Sequence, residues 1–393
     1  MENRNWKEYK IKDVGTVITG KTPSKNNPED WGDEMPFVTP SDYKHYRKFA
    51  KFSDRNLSSI GIERLKSKVL PINSILVTCI GSDMGKIVIN KCSVITNQQI
   101  NSIIPNNNIN SDFLYYRLIS MYETLRIYGG DGTAVPIINK GDFENLEIQI
   151  PPLPEQKAIA SVLSNLDDKI DLLHQQNQTL EALAETLYLD FIGEREFNSK
   201  LSDIFYLQNG YAFKSKSFKE SGTIRVIKIK NISGDIVDIT NSDFVDDESI
   251  KKLDFKFKIN SGDILIAMTG AEVGKLGIVP ETDQSLWLNQ RVGLLKEKFE
   301  GAKYLAYLHL KSDFGQDYIE NTATGSAQPN ISGEGIENCE FPLYEETELR
   351  EICNKLSPLY DKVIFNLGQI HTLTQMRDTL LPKLMSGEVR VKM

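Results

Sequence analysis

The sequence predicts an α+β protein: two tandem sheet-containing heads, each followed by a long helix, with the two helices paired as an antiparallel coiled coil about a pseudo-two-fold axis. Three observations predict it. One unit is written twice at a nearly constant offset, each copy holds short β-branched runs broken by Gly, Asn, Asp and Pro, and each closes on an apolar heptad seam. "GTAVPIINKGDFEN" from Gly132 returns as "GSAQPNISGEGIEN" from Gly325, and "LDDKI" from Leu166 returns as "LYDKV" from Leu359, both 193 residues on. "GSDMGK" at Gly81–Lys86 returns as "GAEVGK" at Gly270–Lys275, 189 residues on. A chain of 393 residues is expected to form more than one core in any case. The segments read as a first head over 1–150, a helical spacer over 151–193, a second head over 194–344 and a second spacer over 345–393.

Within the first head, "SILVTCI" and "KIVI" read as strands, and "SDFLYYRLISMYETLRIY" supplies one helix. The second head offers "TIRVIKIKNI" and "DILIAM" as strands and "AKYLAYLHLKSDFGQDYI" as its helix. The first spacer opens after "IPPLP", where prolines stop the strand and "PEQKAIA" begins a helix with an acidic first turn. Its seam runs Ile159, Leu163, Leu166, Ile170, Leu173, Asn177, Leu180, Ala184, Leu187, Phe191; the second runs Ile352, Leu356, Leu359, Val363, Asn366, Ile370, Leu373, Arg377, Leu380, Leu384. Each seam holds one Asn. Asn177 falls at an a position and Asn366 at a d position, so parallel helices would separate them, whereas an antiparallel pair sets a against d. The two amides are therefore expected to meet and fix the register. About 38 residues at ~1.5 Å each make a rod of roughly 55 Å, long enough to hold two heads on separate turns of a duplex.

Net charge is -8, which at first argues against a nucleic-acid partner. The charge is unevenly placed. Residues 155–192 carry two basic against seven acidic side chains, and 345–390 carry six against seven, so most of the excess lies on the helices. The heads are nearly balanced and hold basic stretches such as "YKHYRKFAKFSDR" and "FKSKSFKESGTIRVIKIKN". No apolar run is long enough to span a bilayer, and "MENRNWKEYK" lacks the apolar core of a secretory signal, so a cytoplasmic protein is expected. Cys79, Cys92, Cys339 and Cys353 show no CxxC spacing, and His45, His174, His309 and His371 are dispersed, so neither a disulfide framework nor a metal site is expected.

The duplicated GK loop invites a nucleotide-binding reading, which its spacing rejects. A Walker loop needs four residues between Gly and GK and then Ser or Thr; here there are three, followed by Ile87 and Leu276. The flanking "KIVIN" and "KLGIV" are extended in character, so a strand-turn-strand element is expected, with Lys86 and Lys275 placed to reach phosphate. "QIPPLP" resembles the (Asn/Asp)-Pro-Pro-aromatic loop of amino-methyltransferases, but Ile150 precedes the prolines and Leu153 follows them. With no glycine-rich cofactor loop and no paired nucleophile and base, the chain is expected to catalyse nothing by itself.

Taken in order, the head opening "WKEYKIKDVGTVITGKTPS", the turn "GTAVPIINKGDFENLEIQIPPLPEQKAI" and the close "LTQMRDTLLPKLMSGEVRV" resemble the specificity subunit of type I restriction-modification systems over essentially the whole chain. The resemblance implies two target recognition domains, each reading half of a bipartite, asymmetric site in double-stranded DNA, with the helices setting the gap. It also implies two methylation subunits docked on those helices and carrying S-adenosylmethionine. Restriction subunits with ATP-driven activity and magnesium would join them, and this chain itself would bind no cofactor. One departure is visible: the second helix begins at "CEFPLYEETELREI", without the double proline and Gln of the first.

Positions that differ between the copies are candidates for reading different half-sites, whereas shared ones are scaffold or phosphate contacts. Asn97 and Gln98 are echoed by Asn289 and Gln290, but Gln99 faces Arg291, and Gln suits adenine where Arg suits guanine. The dissimilar loops add Lys21, Thr22, Ser41, Tyr43 and Lys44 in the first head, and Tyr211, Lys214, Lys228, Lys230 and Asn231 in the second. The alternative is a two-headed protein-binding scaffold without DNA specificity, which predicts binding that ignores DNA sequence and hardly weakens as salt rises.

Overall fold

The computed structural model describes residues 6–130, 136–232, 234–325 and 328–392. Residues 132–135 of the first repeated turn, and Ser326 and Ala327 of the second, lie outside the described residues. By packing, the chain forms two units: Met1–Lys169 with Leu373–Met393, and Ile170–Thr372. The spacers are thus not bodies of their own. Both long helices, Leu153–Ile192 and Glu346–Met385, are divided, and each unit takes a head with one portion of each helix.

In the first unit a five-stranded sheet uses β1 (Gly15–Thr19), β2 (Phe49–Ala50), β3 (Ile75–Thr78), β4 (Ile87–Asn90) and β5 (Ile100–Pro105), in the order β1-β5-β3-β4-β2. Neighbours are antiparallel except β2 beside β4. All four residues of β3 are buried because both faces are covered. Ile75 and Val77 turn toward helix α1 (Ser111–Ile119) and the first long helix, joining Phe113, Tyr116, Ile159 and Leu163 in one cluster. Leu76 turns the other way, onto Val38, Tyr43 and Leu70. The alternation is the two-residue period of a strand.

The second unit repeats this plan. Strands β6 (Phe205–Asn209), β7 (Ile264–Ala267), β8 (Leu276–Ile278) and β9 (Val292–Glu297) form a sheet in the order β6-β9-β7-β8, covered by helix α2 (Ala302–Lys311). The segment expected as one helix after β5 is two, Ser111–Ile119 and Tyr122–Tyr128, and its counterpart is Ala302–Lys311 and Asp313–Thr322. In the second copy the break has a clear cause. Ser312 takes an extended backbone and caps a new helix by accepting from Gly315 N, while Gly315 lies so near His309 O that a Cβ there would stand 2.1 Å away.

The first long helix is pinned at its start by Gln156, which is buried; its Oε1 accepts from Asn110 N at 2.8 Å and its Nε2 donates to Pro151 O at 2.9 Å. The second lacks this Gln yet runs the same 40 residues, with the Glu348 carboxylate accepting from Glu345 N at 3.1 Å. Within each unit the two helix portions run antiparallel. In the first, Ile159 and Leu163 share a cluster with Leu384 and Met385, and Arg377 Nη1 donates to Asp167 Oδ1 at 3.0 Å. In the second, Phe191 stacks on Tyr344 with ring centroids 4.1 Å apart, and Asn366 Nδ2 donates to Asn177 Oδ1 at 2.8 Å. Arg377, an odd residue for an apolar seam, is accounted for by Asp167.

Candidate nucleic-acid interface

Backbone hydrogen bonds place the two heads in residue-by-residue correspondence. In the first, Cys79 N donates to Gln99 O, Gly81 N to Pro136 O and Ile138 N to Cys79 O; in the second, Met268 N donates to Arg291 O, Gly270 N to Pro329 O and Ile331 N to Met268 O. Likewise Lys21 N donates to Thr96 O where Tyr211 N donates to Leu288 O. Gln99 and Arg291 therefore occupy one place in the fold, and Lys21 and Tyr211 another.

The GK loops are tight turns between antiparallel strands, β3 to β4 and β7 to β8. Gly85 and Gly274 sit at φ of +92° and +85°, where an L side chain is strained. Lys86 and Lys275 are exposed, and each ammonium meets an acid of its own loop: Asp83 at 2.6 Å for Lys86, and Glu272 for Lys275. Among the described residues no cluster of His, Cys, Asp and Glu is arranged to hold a metal ion, and no helix is long and apolar enough to cross a membrane.

In the first head Lys21, Thr22, Ser41 and Lys44 are exposed. Thr22 Oγ1 donates to Gln98 Oε1 at 2.7 Å, bringing the turn after β1 beside Gln98 and Gln99, and Asn97 Nδ2 donates to Gln99 Oε1 at 2.8 Å. Ser41 and Lys44 lie on a separate turn, Pro40–His45. Tyr43 is a correction. It is 5% exposed and its hydroxyl donates to Leu76 O, so it packs as a core residue and does not display its hydroxyl on the rim.

In the second head Asn231 is likewise corrected: it is 1% exposed, its Oδ1 accepts from Lys228 N at 2.9 Å and its Nδ2 donates to Asp238 O at 3.1 Å, closing a turn. Lys228 and Lys230 converge on Asp243 at 2.5 and 2.6 Å. Burial alone would raise the Asp243 pKa, but the hydrogen bonds from both ammonium groups outweigh it and hold the carboxyl below its ordinary value. Tyr211 and Lys214 line an open cleft of about 580 Å³ with Phe213, Lys216, Lys251, Lys252 and two acids, Asp246, which pairs with Lys219, and Glu248, which pairs with Lys251. Lys214, Lys216 and Lys252 have no acidic partner among the described residues, so the cleft, with four Lys against two acids, keeps a net positive, aromatic-walled lining. Sequence reading missed Lys216, Lys251 and Lys252, although the "KK" doublet at 251–252 was a visible signal. Arg291 is exposed in a second concavity of about 430 Å³ with Thr269, Gln290, Gln328 and Asn330.

The family model for the type I restriction modification DNA specificity domain matches twice, over residues 3–182 and 195–375. The MjaIX specificity subunit of Methanocaldococcus jannaschii, a type I restriction enzyme component, is 28% identical over 99% of this chain and 94% of its own. The HindI specificity subunit of Haemophilus influenzae is 38% identical over a shorter stretch, 38% of this chain and 32% of its own. Among solved structures, the S subunit of a type I restriction-modification system from M. genitalium superposes with a TM-score of 0.63 at 19% identity, covering 98% of this chain and 97% of that one.

Proposed function

Since the chain belongs to the type I restriction-modification DNA specificity family, we propose that it is the sequence-recognition subunit of such a complex, with each head reading one half of a bipartite, asymmetric DNA site. The observation that carries this reading is the pair of matched scaffolds with dissimilar rims. Equivalent backbone hydrogen bonds hold both heads to one plan, while the side chains displayed on that plan differ, Lys21 against Tyr211 and Gln99 against Arg291. Two half-sites of different sequence need this combination.

Phosphate contact falls to the exposed cations, foremost Lys214, Lys216 and Lys252, whose ammonium groups release no acid on binding. Lys86 and Lys275 are about half exposed, and pairs of that kind are worth only about 0–1 kcal/mol, so a phosphate displaces Asp83 or Glu272 at small cost. Lys21, Thr22, Ser41 and Lys44 serve the first head in the same way. The long helices set the gap between half-sites and dock two methylation subunits, which bring S-adenosylmethionine and the adenine chemistry. Restriction subunits supply the ATP- and magnesium-dependent steps, and this chain contributes recognition without catalysis.

The test is to express the chain with its methylation subunit in a host lacking other adenine methylation and to map the methylated adenines. Replacing residues 194–344 by the second head of another family member should change one half of the motif only. A motif altered in both halves, or in neither, defeats the division of labour.

A further inference from the structure

The correspondence between heads fixes one more pair of places. An isolated antiparallel bridge joins Ile80 to Ile137 in the first head, and its counterpart joins Thr269 to Asn330 in the second. Each bridge flanks the position that differs most in base preference, Gln99 in the first head and Arg291 in the second, because the neighbouring residues Cys79 and Met268 donate to those residues' carbonyls. The second bridge is polar. Among the described residues its concavity is lined by hydrogen-bonding side chains with no acid, and the Thr269 hydroxyl, buried in its wall, has no partner among them. The first bridge is apolar, and Ile137 is 53% exposed, an unusual place for a large aliphatic side chain on a turn.

We propose that these matched patches are where the heads read base edges, and that their opposite polarity assigns each head a base class. This rests on the DNA-recognition reading above. In the second head Arg291 takes a guanine through O6 and N7, with Asn330 on a flanking edge. In the first head Ile137 covers the methyl group of a thymine, and Gln99, its amide oriented by Asn97, takes an adenine. Phosphate-binding lysines elsewhere on the heads carry no such information.

The experiment uses the assembled complex of this chain with its methylation subunit. Adenine methylation is mapped for the wild type, Arg291→Gln and Ile137→Asn. In parallel, the purified complexes compete for a panel of duplexes in which each motif position is changed singly. Arg291→Gln is expected to erase preference at one G·C pair in one half-site, a loss of roughly 5- to 150-fold in discrimination, and to leave the other half unchanged. Ile137→Asn is expected to erase preference at one A·T pair in the other half. The competition ratios remain readable for a variant that methylates weakly, since they compare duplexes within one preparation. If both variants keep every wild-type preference, or if Arg291→Gln relaxes an A·T pair, the patches are not the readers, although the bipartite reading stands. If the wild-type complex shows no bipartite motif at all, it is the reading beneath this inference that has failed.

Discussion

The Asn177–Asn366 pair makes the sharpest quantitative prediction, because both residues are buried and only half of their capacity is met. Asn366 Nδ2 donates to Asn177 Oδ1 at 2.8 Å and, more distantly, to Gln176 Oε1 at 3.5 Å, while Asn177 Nδ2 and Asn366 Oδ1 have no partner among the described residues. One hydrogen bond contributes about 1 kcal/mol net, and each orphaned amide atom costs about 1–3 kcal/mol. The pair is therefore a net loss against two leucines, and its worth lies in register. A slip of one heptad sets Asn177 against Leu359 or Leu373, leaving both amides wholly unpaired and adding roughly 2–6 kcal/mol to the misaligned state.

The perturbation is a cycle of Asn177→Leu, Asn366→Leu and the double variant. Hydrogen exchange, read on peptides from the two helix portions of the second unit, reports their local opening. A single leucine removes the shared bond and leaves the surviving amide short of it, with Asn366 keeping only the long bond to Gln176 Oε1, whereas the double variant removes the polar pair altogether. The double should exceed the sum of the singles by about 1 kcal/mol, close to a five-fold difference in protection. It should also be more protected than the wild type. Additivity within about 0.3 kcal/mol would mean that the two amides do not interact, and the register argument would go with it.

Three other outcomes follow from single sites. His309 is fully buried, with Nε2 donating to Glu340 O and Nδ1 accepting from the Tyr188 hydroxyl; desolvation lowers its pKa to about 4 against an ordinary 6.5, although the bond to Glu340 O opposes this. Its folded pKa being the lower, the stabilisation is present above about pH 6.5 and lost as pH falls toward 4, by roughly 3 kcal/mol, so His309→Phe should flatten the urea midpoint across that window. Lys48, 2% exposed, meets Asp112 at 2.7 Å, Ser164 Oγ at 2.8 Å and Tyr116 OH at 3.2 Å. Lys48→Met should lower the melting temperature of the first unit through a loss of about 1–3 kcal/mol, much of it recovered in Lys48→Met/Asp112→Leu, and a lack of recovery would show that the charges are not coupled. Finally, changing Lys214, Lys216 and Lys252 together to Gln should reduce the slope of log Kobs against log salt by about 0.9 per lysine for duplex DNA, and an unchanged slope would remove that cleft from the interface.

How much of this was legible in the sequence depended on whether a feature leaves a periodic trace. The heptads, the antiparallel match of the two Asn residues and the twin hairpins all repeat, and repetition is readable without coordinates. Tyr43 and Asn231 misled because both stand in turns rich in Lys and Ser, where a polar side chain is normally displayed; each instead turns inward to satisfy a backbone group, Leu76 O in one case and Lys228 N in the other. The helix breaks before Tyr122 and Asp313 were hidden for a related reason, since Ser312 reads as an ordinary helical residue until its capping bond to Gly315 N is seen.

What the sequence conveys only for the repeated motifs is which positions correspond, because small insertions shift the offset between copies from 189 to 193 along the chain. Backbone bonds restore the alignment, and it then discloses a reversal that letters alone conceal. Ile89 N donates to Lys48 O where Ile278 N donates to Asp235 O, so a buried cation in one head stands where the other has an acid. The partners do not match in place: buried Lys48 faces Asp112 near the start of α1, whereas the exposed Asp235 faces Lys311 at the end of α2 at 2.7 Å. The rim pairs differ at matched places, Gln99 against Arg291 and Ile137 against Asn330, and difference on a shared backbone plan is what two readers of unlike sequence require.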